Sequence, residues 1–198
     1  KRQHLVPAVQ HAVHHVGEQF GVVTAAGEDI GDLHAGREAG ECEHLGRLVA
    51  RIALANAEGP ALQAVRSLSP DRAQREARRL DNQRRHGIVK GPLHGIPVLL
   101  TDAVDVKKFS TTGGSIALQH GVARKDAKLR AAGAVILGKT NLTELNGIFD
   151  SNLPEGYSSL GGQVLMASDT DKTVAGSSAG AAAATATERI RLGTHVAS

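Results

Sequence analysis

Leu45, Leu48, Val49 and Ile52 recur at three- and four-residue spacing, so the chain from about Glu41 predicts a helix with one apolar face, closed by Gly59-Pro60. Ser69-Pro70-Asp71 announces a second helix: a capping serine, a proline at the first helical position and an acid in the first turn. It continues through Ala73, Ala77 and Leu80 to about Arg85. Ile96 to Leu100 is a short apolar run that predicts a buried strand, and Ala134 to Leu137 predicts another. Between them, Asp126 to Ala132 predicts a short helix. Residues 146–173 are rich in Gly, Ser, Asn and Asp and are expected to form a long loop region, including Ser168 to Lys172. A Gly/Ser turn from Gly176 then leads into an Ala-rich helix to about Thr187. This alternation predicts an α/β sandwich, its mixed, mostly parallel sheet flanked by helices.

The first forty residues lack this periodicity. Six of the ten His fall between positions 4 and 44, and residues 1–40 are expected to be a poorly ordered, His-rich leader ahead of a domain over 41–198. His11, His14 and His15 can share a helical face, but no carboxylate or Cys stands beside them at ligand spacing. No metal site is expected. The chain opens on Lys1 without Met, which suggests a missing true N-terminus.

Composition narrows the function classes. Three Phe, one Tyr and no Trp leave few rings for bases to stack on, and the net charge of +3 is mild. The Arg-rich face of the second helix (Arg72, Arg75, Arg78, Arg79, Arg84, Arg85) is tempered by Glu76 and Asp81 and is expected to be solvated, so no nucleic-acid partner is expected. A lone Cys42 excludes an internal disulfide and fits a reducing compartment. No run approaches the ~18 apolar residues of a membrane span. A cytoplasmic location follows as the expectation.

The segment Val174-Ala175-Gly176-Ser177-Ser178-Ala179-Gly180 carries the candidate chemistry. Small residues allow a tight turn, the helix start presents outward N–H groups to an oxyanion or phosphate, and a hydroxyl there can be a nucleophile or proton relay. Alone, such a turn is also ordinary helix entry. Further blocks accompany it: Gly91-Pro92-Leu93-His94-Gly95-Ile96-Pro97-Val98-Leu99-Leu100, Thr111-Thr112-Gly113-Gly114-Ser115, Leu129 to Asn141, and Gly156-Tyr157-Ser158-Ser159-Leu160-Gly161-Gly162-Gln163. Together, in this order, they resemble the amidase signature family of serine amide hydrolases.

The resemblance implies an amidase-signature-type sandwich of which this chain holds the N-terminal portion, and an amidase working through a Ser–cis-Ser–Lys triad. A neutral lysine takes a proton through a bridging serine, and a second serine attacks the amide to form an acyl-enzyme. By this resemblance Ser177 is the bridging serine and Thr101 stands where the family has its lysine. Ser198 falls on the nucleophile, or on the glycine just before it, and Val196 and Ala197 fall on the oxyanion hole. Threonine cannot accept a proton at neutral pH, so the resemblance implies an impaired copy. The implied ligand is a small-molecule amide, with no cofactor and no membrane partner; the oligomeric state is left open.

Three rivals stand beside this reading. A non-catalytic amidase-like remnant or binding protein fits Thr101. An amidase-like subunit of a tRNA-dependent amidotransferase fits the same blocks. Gly176-Ser177-Ser178-Ala179-Gly180 also matches an α/β-hydrolase elbow with Ser178 as nucleophile, but that needs a strand directly before it and an acid and His on separate later loops.

Overall fold

In chain order the elements are β1 (Val23–Thr24), α1 (Glu41–Ala53), β2 (Val65–Leu68), α2 (Pro70–Arg85), β3 (Pro97–Thr101), α3 (Lys128–Ala131), β4 (Val135–Thr140), β5 (Tyr157–Ser158), β6 (Gly162–Gln163), β7 (Leu165–Met166), β8 (Asp169–Thr173) and α4 (Ala179–Gly193). A computed structural model describes Val23–Thr24, residues 41–126 and residues 128–193. The expectations for the His cluster, for most of residues 1–40 and for Val196, Ala197 and Ser198 lie outside the described residues.

Every residue of β3 and β4 is buried, as two apolar runs require. They pair in parallel at the centre of a four-stranded sheet of order β1-β3-β4-β2. The sheet is mixed, but both flanking pairs, β1 with β3 and β2 with β4, are antiparallel. The parallel pairing expected for most of the sheet is therefore confined to its centre. An edge strand has one ladder to satisfy and either direction satisfies it, so apolar runs do not fix that direction. β2 itself escapes sequence reading because Arg66 and Ser67 interrupt it, leaving only Val65 fully buried. Gly138 lets β2 approach, since a Cβ there would overlap the Ser67 carbonyl oxygen.

Strand alternation sends side chains to two different cores. On one face Leu99, Val135 and Leu137 pack with Leu45 and Leu48 of α1, with Ala73, Ala77 and Leu80 of α2, and with Ala181 of α4. On the other, Val98, Leu100 and Ile136 pack with Leu93, Val106 and Phe109. The predicted helices stand where periodicity placed them. α1 runs on through a π-helical turn at Leu54–Glu58 and stops at Gly59-Pro60, and α2 starts on Pro70. On the arginine face, Arg79 bonds Glu76 at 3.2 and 2.5 Å, Arg72 stacks 5.1 Å over the Phe109 ring, and Arg84 Nη2 donates to the His94 carbonyl at 2.7 Å.

The expected loop at 146–173 instead contains two small hairpins, β5–β6 and β7–β8. β8 covers most of Ser168 to Lys172, which corrects the loop expectation there. Its residues, Asp-Thr-Asp-Lys-Thr, are almost all exposed, so only backbone pairing to β7 makes it a strand and no apolar alternation announces it.

Candidate active site

Three chain segments meet at the C-terminal ends of β3 and β4. Thr101 closes β3 directly opposite Thr140 of β4. The chain leaves β4 through Asn141, Leu142 and Thr143, and this extension seats the turn from Gly176 to Gly180. Gly176 takes a positive φ of 87°, which a side-chain-bearing residue would resist. Gly180 N–H donates to the Asn141 carbonyl at 3.1 Å, and a Cβ at Gly180 would overlap the carbonyl oxygens of Ala64 and Asn141. The first turn of α4 therefore rests directly on the end of the sheet. Ser178 caps it, its carbonyl accepting from Ala181 and Ala182 N–H at 3.0 and 3.2 Å.

Ser177 is exposed on this turn. Its carbonyl accepts from Thr143 N–H at 3.3 Å, and the Gly176 carbonyl accepts from Thr143 Oγ1 at 3.2 Å. Thr143 Oγ1 in turn accepts from Gly156 N–H at 2.8 Å, and Glu155 Oε2 accepts from Gly176 N–H at 3.2 Å. The cis bond that the resemblance implies at the bridging serine is absent: no peptide bond among the described residues is cis. Gly176 makes the turn by its positive φ.

Thr101 is buried and shares its strand face with Leu99, toward α4, as Thr140 does. Thr101 and the Ser177 turn thus lie at one end of the sheet, on its helix-covered side. Beside Thr101, Thr140 Oγ1 is buried and has no hydrogen-bond partner.

The charged groups sit on the opposite face. Asp102, fully buried, holds Arg66 Nε at 2.7 Å and Nη2 at 3.1 Å, Lys139 Nζ at 3.3 Å, the Thr112 hydroxyl and the Gly114 N–H. Lys139 Nζ also donates to the Val104 carbonyl at 2.6 Å. Lys139 pairs across from Leu100 rather than Thr101, so strand alternation places it on the opposite sheet face from Thr101. Sequence reasoning missed this cluster and Thr143. The available signal was a charge, Lys139, two residues past the apolar run Ala134 to Leu137.

Burial pushes the Lys139 pKa below its ordinary value of 10.5; Asp102 opposes this and Arg66 adds to it. The folded chain therefore binds fewer protons here than the unfolded chain between the depressed value and 10.5. Stability contributed by Lys139 must then rise as pH increases through that interval. We expect the parent to gain stability relative to Lys139→Met as urea titrations move from neutral toward alkaline pH. A constant difference would contradict it.

Among the described residues no group of three or more His, Cys, Asp and Glu could hold a metal, and no helix is long and apolar enough to cross a membrane.

The sequence pattern described as Amidase matches residues 44–194. A putative amidase from Schizosaccharomyces pombe is 38% identical over 136 residues, covering 66% of this chain and 23% of that protein. A glutamyl-tRNA(Gln) amidotransferase subunit from Koribacter versatilis is 39% identical over 134 residues, covering 66% of this chain and 27% of its own length. The solved peptide amidase from Stenotrophomonas maltophilia superposes with a TM-score of 0.72 at 39% identity, over 79% of this chain and 32% of that one. The chain thus spans about a quarter to a third of the relatives that it matches.

Proposed function

The chain belongs to the amidase family, and from that premise we propose that it supplies the serine-bearing part of a protein hydrolysing the C–N bond of a small carboxamide. The observation that carries this reading is the seating of Ser177 on a fixed turn at the start of α4, at the same sheet end as Thr101. In this reading Ser177 relays the proton of the attacking serine, at or next to Ser198, and N–H groups near Val196 and Ala197 take the oxyanion. Thr101 stands in the base position. A hydroxyl is a poor nucleophile without an adjacent base, so turnover with Thr101 in place is slow. No cofactor enters this chemistry, and a cytoplasmic location, among small amide substrates, completes the reading.

Thr101 also favours a second reading, a family member that binds amides without turning them over. The intact mass of the natural protein, against 20.6 kDa for this chain, fixes the form to assay. That form is incubated with primary carboxamides and peptide amides, and released ammonia is measured beside Ser177→Ala. We expect slow release that falls by about 10²-fold or more in Ser177→Ala. Release indifferent to Ser177 would place the chemistry elsewhere. Saturable amide binding with no release, even after a lysine is restored at 101, would establish the second reading.

A further inference from the structure

The geometry points to Thr143 as the positioning residue for Ser177, an inference that rests on the reading of Ser177 as a member of the reacting set. One side chain direction depends on two peptide planes, and Thr143 holds both. The plane before the Ser177 Cα is fixed through the Gly176 carbonyl by Thr143 Oγ1 at 3.2 Å, and the plane after it through the Ser177 carbonyl by Thr143 N–H at 3.3 Å. With both carbonyls tied, φ and ψ of Ser177 are set, and with them the line along which its Cβ–Oγ bond leaves the turn.

The hydroxyl of Thr143 is itself directed. A hydroxyl has one proton to give, and Gly156 N–H occupies an acceptor position of Thr143 Oγ1 at 2.8 Å, so the proton is left for the Gly176 carbonyl. Gly156 is buried, its φ is 76°, and a Cβ there would come within 2.9 Å of the Val174 oxygen and 3.1 Å of the Ala179 Cβ. The 156 loop, the 143 extension and the 174–179 turn therefore close on one oxygen atom. Thr143 is 5% exposed, so water does not substitute for it readily. On its far side Leu145 N–H donates to the Gly113 carbonyl at 2.7 Å, which stops the 143 segment from sliding.

The test compares Thr143→Val with Thr143→Ser in the longest natural form of the protein. Valine keeps the shape but neither donates nor accepts; serine keeps both bonds. By amide hydrogen exchange, Thr143→Val is expected to speed exchange at Gly156 about tenfold or more, and Thr143→Ser to leave it near the parent value. In the Thr101→Lys background, Thr143→Val is expected to lower kcat about tenfold to a hundredfold with KM within about twofold, and Thr143→Ser to restore kcat. A merely structural residue would move the melting temperature without that split. The inference is overturned if folded Thr143→Val keeps the parent kcat, or if Thr143→Ser is as slow as Thr143→Val. If the lysine-restored protein turns nothing over, the hydrolase reading fails by itself, and the exchange result alone decides whether Thr143 holds the turn.

Discussion

Thr101→Lys is expected to raise amide hydrolysis by about 10²-fold or more, the usual worth of one positioned general base. The site is prepared for an amine. Residue 101 ends a fully buried strand and faces the helix side, on which the Ser177 turn also lies. Its cross-strand neighbour Thr140 has a buried hydroxyl oxygen without a partner, ready to accept an N–H from a new amine. A lysine in apolar surroundings loses its charge more easily, because burial disfavours the ammonium. Lys139, one residue along the partner strand, already has its pKa lowered mainly by burial. Thr101→Met is the control, with a chain of comparable reach and no amine; it should stay at the parent rate. A folded Thr101→Lys protein that remains inert on a broad amide panel would sink the catalytic reading and leave the binding one.

The same two strands explain what the sequence made legible. The apolar runs before Thr101 and before Gly138 had to be buried strands, and the spacing of Leu45, Leu48 and Ile52 had to be a helical face. The expectations for Ser177 and Thr101 rest on motif order, since several blocks in register are far more specific than one Gly/Ser turn. The rest depended on partners distant in sequence. β2 and β8 are strands because a neighbour supplies a ladder, while their own residues are largely polar. Thr143 lies just past the block that ends at Asn141, and its role comes from contacts with Gly156 and Gly176, thirteen and thirty-three positions away. Nothing local to Asp102 announces that Arg66 and Lys139 converge on it.

Asp102→Ala is expected to cost about 3–5 kcal/mol of stability, the range for removing one partner of a buried ion pair. Two cations share this carboxylate. Lys139 and Asp102 have no exposed side-chain surface, and Arg66 retains only 10%. Without Asp102 neither cation regains water, so each remains buried without its counter-charge. Asp102→Asn separates charge from hydrogen bonding. It can still accept from Thr112 or Gly114, yet it should remain strongly destabilised if the missing charge dominates. In urea titrations the midpoint should fall sharply with an unchanged slope, which marks lost stability rather than a changed unfolded state. A loss in Asp102→Ala below about 1 kcal/mol would mean that Arg66 and Lys139 are relieved in some other way. The effect should also reach beyond the ion pairs. The Thr112–Gly114 turn hangs on Asp102, and Gly113 holds Leu145, two residues from Thr143. A variant that survives folding should therefore also exchange faster at Gly156, because the seat of Ser177 is braced from the opposite face of the sheet.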